Sequence, residues 1–288
     1  MIKADNAIIL AAGYSSRFVP LCFDIPKGLL IVKGETLIER QIRQLKEVGI
    51  KDIFVVTGAY REQFEFLKEK HNVKLIFNKD YKVKNNFASI YAAKDVLSNS
   101  IISSSDLYFP ENIFQNEAEH SYYLSVFIKG KTNQRSLTLD NTDRIIKTNY
   151  GGENTWITFG GQAFFTESLS KKLIGYIEPV YDKPEYSNKY WVDFQDEHLE
   201  DMPMWIKRVN NIVEFNTLGT LRNFDKTFSA VNISKTMKFL CNKLNTEENE
   251  LYDFEPLKSG NSAIGCTFKF GAKNFSYNHT TKQIEDLI

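Results

Sequence analysis

The chain has 288 residues, 42% of them hydrophobic, enough for one full α/β core with material left for an appendage. Lys plus Arg (36) equals Asp plus Glu (36), so net charge gives no ground for nucleic acid or an anionic membrane as partner, and any phosphate binding must be local. Apolar runs such as residues 7–12 and 53–56 are far too short to span a bilayer, no long apolar leader opens the chain, and Cys22, Cys241 and Cys266 lack CxxC spacing; a cytoplasmic chain with ordinary thiols, without disulfide framework or zinc site, is expected.

In chain order, residues 7–104 alternate short apolar runs with segments of helical period, as βα units on a parallel sheet buried on both faces do. Strands are expected at residues 7–10, 53–57, 73–77 and 100–104. A helix is expected over 37–48, where Leu37, Ile38, Gln41, Ile42, Leu45 and Val48 share a face and Gly49 supplies a stop. A second is expected over 86–97, striped by Phe87, Ile90, Tyr91, Ala93 and Val96 and capped by Asn85 or Asn86. Beyond Asp106 the pattern becomes mixed: strands at 122–128, 136–139 and 156–165, the glycine pairs Gly151-Gly152 and Gly160-Gly161, a helix over 166–177 and a returning strand at 212–215. This half reads as an insertion shaped for an acceptor. From about 231 a polar helical stretch and then alternating residues 267–277 read as a separate tail.

The main chemical signal is LAAGYSSRF, residues 10–18, directly after the first strand and followed by Pro26-Lys27-Gly28. Ligands of open α/β sheets bind beyond the carboxyl ends of the strands. Gly13 lets backbone approach a phosphate, the N–H groups around Tyr14, Ser15 and Ser16 can form an anion nest, and Arg17 and Lys27 supply the charge. The plainer alternative is a glycine turn with two solvated cations. The spacing is neither GxxxxGK[ST] nor GxGxxG, which removes the main support for P-loop and dinucleotide-binding readings.

With Leu10, Ala11, Ala12, Gly13, Ser16, Arg17, Pro26 and Lys27 the chain resembles the sugar-nucleotide-type nucleotidyltransferases, signature LAAGxGSR followed by a PK pair. Leu37-Ile38-Glu39, Leu45-Lys46-Glu47, Gly49-Ile50, Gln63-Phe64, residues 67–70 and Asn85-Asn86-Phe87 with Ser89 make it most similar to the bacterial CTP:phosphocholine cytidylyltransferases, over roughly residues 5–228. Tyr14 departs from the small residue usual there. The resemblance implies a Rossmann-like α/β fold with a mostly parallel sheet of nucleotidyltransferase type, a mixed acceptor-binding half and a C-terminal appendage. It implies a nucleotidyltransferase domain at 1–230 and an appendage at 231–288, whose EPLKSGNSAIGCTFKF looks weakly like the opening of a choline-kinase-type lobe and so of a fused or partner kinase.

The activity implied is transfer of CMP from CTP to a small phosphorylated acceptor, phosphocholine favoured, with release of pyrophosphate. Lys27, Arg17 and Asp106 would be catalytic, and the nucleotide would lie on residues 10–17, Gly58, Asn85, Asn86 and Ser89, whose amides suit cytosine. Asp106 at a strand end suits magnesium; relatives carry an earlier aspartate where this chain has Ser104 or Ser105, and Asn216 matches a second metal position. Turn-capping and loop roles are the alternatives for Asp106 and Asn216, helix capping for Asn85. For the acceptor, Tyr190 and Trp191 resemble the aromatic pair of phosphocholine enzymes, with Asp193 close by. Arg135 stands where relatives tend to have tryptophan and suits an acidic acceptor better than choline, so aminoalkyl phosphates or phosphonates and amino-acid phosphates stay open. A sugar-1-phosphate nucleotidyltransferase and a non-catalytic nucleotide-binding module are the remaining alternatives.

Overall fold

Residues 1–159 and 161–287 are described by a computed structural model of the chain; Gly160 of the second glycine pair lies outside the described residues. Two compact units form, Met1–Ala12 with Arg40–Glu214 and Gly13–Glu39 with Phe215–Ile288. The first contains β1 (Asn6–Ala11), α1 (Leu37–Glu47) from Arg40 onward, β2 (Ile53–Thr57), α2 (Phe66–His71), β3 (Lys74–Phe77), α3 (Phe87–Ala92), β4 (Ser100–Ser104) and β5 (Leu107–Tyr108). It continues with β6 (Tyr122–Leu139), β7 (Ile145–Ile157), β8 (Ala163–Phe165), α4 (Glu167–Ile177), α5 (Trp191–Glu197), β9 (Trp205–Arg208) and β10 (Val213–Glu214).

An eight-stranded sheet runs β7-β6-β8-β4-β1-β2-β3, with β9 paired beside β6. Its β4-β1-β2-β3 half is parallel and its β7-β6-β8-β4 half antiparallel. All residues of β1 and β2 are buried, which is why NAIILA and IFVVT read as unbroken apolar runs instead of alternating ones. Ile8, Leu10, Val56 and Ile102 of the sheet form one core with Phe87 and Ile90 of α3, Leu169 and Leu173 of α4, and Trp191 and Phe194 of α5. Gln41, the polar member of the α1 stripe, is buried and donates to the carbonyls of Ser104 at 2.8 Å and Leu107 at 2.9 Å.

Three elements depart from the sequence expectation. The helix expected to reach Leu97 ends at Ala92, because the backbone tightens to i→i+3 bonds, Ala93 N to Ile90 O and Lys94 N to Tyr91 O. Its apolar period survives in turns, with Ala93 and Leu97 still buried. The segments 122–128 and 136–139 merge into the single strand β6, held by the long hairpin partner β7. The strand expected over 156–165 is broken in two, with a turn in which Gln162 N donates to Phe159 O and Gly161 takes φ +75°. The returning strand is β10, which pairs antiparallel with β5.

The second unit holds the 13–39 segment, α6 (Leu218–Phe224), α7 (Lys235–Leu244) and an antiparallel meander of β11 (Leu251–Ser259), β12 (Ser262–Phe270), β13 (Lys273–Asn278) and β14 (Gln283–Leu287). The helical stretch expected from about 231 is α7, and the alternation at 267–277 falls on β12 and β13. The Asp24 carboxylate accepts from Ser234 Oγ at 2.7 Å and Thr236 N at 2.8 Å, and Asp225 accepts from Lys33 N at 2.7 Å. Phe23 stacks on His279 with centroids 4.2 Å apart. All three cysteines are buried, and none is in a disulfide among the described residues. Among the described residues no helix is long and apolar enough to cross a membrane.

Candidate nucleotide loop and acceptor residues

At the carboxyl ends of the parallel strands, the first unit knits three chain exits side by side. Leu10 O accepts from Ser105 N at 3.0 Å and Ala12 O from Ala59 N at 3.0 Å. This brings Leu10, Ala11, Ala12, Gly58 and Asp106 to one end of the sheet, the end at which α/β sheets take ligands. A Cβ on Gly58 would lie 2.6 Å from Ala12 O and 2.7 Å from Tyr81 Cβ, so no larger residue fits between the two chain exits. Asp106 is half-buried in the turn after β4.

In the second unit the loop and the lysine are joined. Ser15 sits in the left-handed region at φ 56°, its carbonyl accepts from Phe18 N at 2.8 Å to close the turn Ser16–Phe18, and its Oγ accepts from Lys27 N at 3.2 Å. Lys27 is only 6% exposed, with Nζ 5.6 Å from the centre of the Phe18 ring. A lysine so enclosed is built into the loop, unlike the solvated cation of the plainer reading; Gly13 and Arg17 are exposed, Tyr14 and Ser16 half-exposed. Asn216 directly precedes Thr217, the N-cap of α6.

The residues expected at the base make contacts within the first unit. Ser89 is buried and its Oγ accepts from Asn78 Nδ2 at 3.1 Å. Asn86 stands at the N-cap of α3 without a capping bond; its Oδ1 accepts instead from the backbone N of Trp191 at 3.0 Å, and Asn85 Nδ2 donates to Asn188 O at 2.9 Å. The asparagines therefore tie α3 to the entry of α5, joining the expected base residues to the expected acceptor residues.

At that entry, Tyr190 is 48% exposed while Trp191 is fully enclosed, 5.3 Å from the Phe165 ring and 6.0 Å from Tyr123. A Cβ on Gly161 would come 2.2 Å from the Trp191 ring, which is why glycine stands there. Asp193 accepts from Tyr190 N at 2.7 Å, and burial raises its carboxyl pKa above the ordinary aspartate range. Arg135 is 5% exposed, donates through Nε to Asp196 at 2.9 Å, through Nη2 to Asp196 and to Gln195 Oε1 at 3.1 Å, and lies 4.9 Å over Tyr123. Burial opposes its charge, but the Asp196 carboxylate outweighs that and holds the guanidinium pKa above its ordinary value. Two members of this group were not found from sequence. Exposed Tyr150 is the ladder partner of Arg135 and lies in the field of Asp193, and Asp196 is the counter-ion of Arg135. Only the β6–β7 register and the packing of α5 bring them in, and no local motif marks either.

A divalent ion has a modest donor set here. Among the described residues no group of three or more His, Cys, Asp or Glu could hold a metal. One half-buried carboxylate, Asp106, at the ligand end of the sheet still fits magnesium, which takes one or two carboxylates plus phosphate oxygens and keeps its waters.

A mostly parallel sheet with a glycine loop leaving its first strand and an enclosed lysine tied to that loop defines a nucleotide-dependent transferase domain. A MobA-like NTP transferase domain matches residues 7–124. The chain is 33% identical over 227 residues to the choline-phosphate cytidylyltransferase of Streptococcus pneumoniae, covering 77% of this chain and 97% of that one. It is 34% identical over 229 residues to the 2-aminoethylphosphonate cytidylyltransferase of Lancefieldella rimae, covering 77% and 93% respectively. The solved structure of the S. pneumoniae CTP:phosphocholine cytidylyltransferase superposes with a TM-score of 0.74 at 32% identity, over 78% of this chain and 99% of that one. The chain belongs to the bacterial family of nucleotidyltransferases that contains these cytidylyltransferases, as its LAAGYSSRF loop and Pro26-Lys27 pair led us to expect.

Proposed function

We propose that the protein transfers CMP from CTP to a small phosphorylated or phosphonylated acceptor bearing an amine, releasing pyrophosphate. The similarity along nearly the full length of two cytidylyltransferases with different aminoalkyl acceptors supports this above all else. An acceptor phosphate oxygen attacks the α-phosphorus of CTP in line, a new P–O bond forms, and the bond to the β-phosphate oxygen breaks. The acceptor is already ionised at neutral pH, so no protein nucleophile or general base is needed, and the chain's own residues act by positioning and by neutralising charge.

Lys27 is the cation we assign to the α-phosphate and the incoming oxygen; its low exposure makes its charge act in a poorly solvated place. The N–H groups of residues 13–17 and the Arg17 fork hold the departing pyrophosphate. We assign the cytosine to Asn85, Asn86 and Ser89, Gly58 lets the two strand exits close on each other, and Asp106 would hold magnesium. That ion, when bound, supplies charge neutralisation between phosphate oxygens. Exposed Tyr190 and Tyr150 with the Asp193 carboxylate suit the cationic end of the acceptor, and a cation there relieves the burial that raises the Asp193 pKa.

Pyrophosphate release measured with CTP, magnesium and either phosphocholine or 2-aminoethylphosphonate tests the reading. Release that needs both CTP and acceptor, and falls when UTP or ATP replaces CTP, is expected. Binding of CTP without release in any acceptor would sink it.

A further inference from the structure

Between β3 and α3 the chain runs through turns at residues 78–86, and Tyr181, which the proposed reaction does not use, is the side chain on which this stretch is fastened. Tyr181 is 8% exposed and ends the turn that follows α4. Its O–H donates to Asp80 Oδ2 at 2.5 Å, near the start of the stretch, and the Lys84 ammonium lies 3.5 Å from its ring centre, near the end. Tyr91 of α3 stacks on the same ring with centroids 4.0 Å apart and planes at 26°. An ammonium and a ring at those distances cannot share one face, so Lys84 and Tyr91 take opposite faces of Tyr181. Lys84 is held further by Asp182 at 3.1 Å, and the N–H groups of Lys84 and Val83 close turns on Asp80 O at 2.9 and 3.0 Å.

The fastening matters because of what the stretch carries. It ends in Asn85 and Asn86, and at its start Asp80 N donates to Asn78 Oδ1 at 3.0 Å while Asn78 Nδ2 donates to Ser89. All three residues assigned to cytosine therefore sit on it or are bonded to it. Beyond Tyr181 the chain meets the same stretch again, where Asn85 N donates to Ser187 O at 2.7 Å. A side-chain amide reads a base only when it is held to within about 0.5 Å, and supporting contacts supply that precision where no helix or strand does. Resting on the cytosine assignment above, we infer that Tyr181 is a positioning residue for nucleotide selection, holding residues 78–86 through Asp80 and Lys84 so that Asn85 and Asn86 meet the base in one fixed place. Two separable contacts make the hold: the hydroxyl takes Asp80, and the ring takes Lys84 and Tyr91. Removing the hydroxyl frees one end of the stretch, and removing the ring frees both.

The test reads nucleotide choice and stability separately. With magnesium and whichever of phosphocholine and 2-aminoethylphosphonate releases pyrophosphate faster, kcat/KM is measured for CTP and for UTP, and each variant is melted alongside. Tyr181→Leu is expected to lower the CTP-to-UTP ratio by about threefold or more, as loss of coupling between touching residues does, through a raised KM for CTP with kcat within about twofold of the parent. Tyr181→Phe, which keeps the ring, is expected to fall between the two. Asp80→Ala is expected to match Tyr181→Phe, and the double variant to be no worse than either, because hydroxyl and carboxylate form one contact. Should Tyr181→Leu fail to fold, Tyr181→Phe and Lys84→Met carry the test on the same ratio. Variants that melt lower yet keep the parent's ratio and KM for CTP show packing alone and overturn the role of Tyr181 while the cytosine assignment stands. A parent protein that does not prefer CTP to UTP overturns that assignment and the inference with it.

Discussion

Lys27 is where the proposed chemistry concentrates, because a cation enclosed beside Phe18, with its backbone N–H on Ser15 Oγ, would meet a phosphate with little competing water. Lys27→Met should lower kcat by about 10²–10³-fold, the range found when one preorganised charge-stabilising group is lost, with circular dichroism and melting close to those of the parent. Gly58 carries a steric role. Gly58→Ala should cost about 1–3 kcal/mol of stability by overpacking against Ala12 O and Tyr81, and raise KM for CTP more than for the acceptor. Lys207 offers a pH test. Its amine is buried without a partner among the described residues, 5.3 Å over the Tyr122 ring, and burial pushes its pKa down to about 8. Below that pH both states carry the proton and the fold bears the whole penalty. Between pH 8 and about 10 the unfolded chain binds a proton the folded chain does not, so stability rises with pH across that window. Lys207→Met should therefore melt higher than the parent at pH 7, with the advantage shrinking by pH 10, as thermal unfolding at the two pH values would reveal.

At the scale of elements, reliability in the sequence followed burial on both sides. The runs of β1 and β2 were legible because continuous covering leaves continuous apolar residues. The end of α3 was not, since Ala93, Val96 and Leu97 keep a helical period while the backbone has already passed to turns. The β6–β7 hairpin was legible only in pieces, because the register that opposes Arg135 to Tyr150 is a long-range choice. Within the second unit, Asp24 backs the local cap with a distant one: Ser234 Oγ accepts from Met237 N at 3.0 Å, and Asp24 takes the Ser234 hydroxyl and the Thr236 amide at the start of α7. Asp24→Ala leaves those donors unpaired and should cost about 1–3 kcal/mol. Asp24→Asn, which keeps one acceptor oxygen, should cost less; denaturant melts of the two variants would separate a lost hydrogen bond from a general effect of the position.

At the scale of the whole molecule, the tail and the loop proposed to hold phosphate belong together. The 13–39 segment folds with α6, α7 and the C-terminal meander in one unit, through Asp24 on the start of α7, Lys33 N on Asp225 and the Phe23–His279 stack. The aligned part of the S. pneumoniae enzyme accounts for 77% of this chain, so this chain carries length its relative lacks. Removing residues 231–288 should therefore lower both the melting temperature and CMP transfer, since the loop bearing Lys27 would lose Asp24's partners; a truncated protein that melts and turns over like the full chain would show that the segment is dispensable. A kinase role for that segment, raised by its weak resemblance, is a separate proposal, testable by assaying choline phosphorylation by the full chain.

Local chemistry wrote much of this protein into its sequence: the buried strands, the loop after the first of them, the lysine behind Pro26 and the family they announce all depend on short-range pattern and residue type. Which side chains became enclosed was decided only by packing. Tyr190 and Trp191 are neighbours of similar chemistry, yet one is open and the other sealed against Phe165 and Gly161. Arg135 was legible as a cation, but its Asp196 counter-ion comes from a helix far along the chain. Burial and hydrogen-bond satisfaction are properties of the assembled interior, and periodicity along a single segment does not encode them.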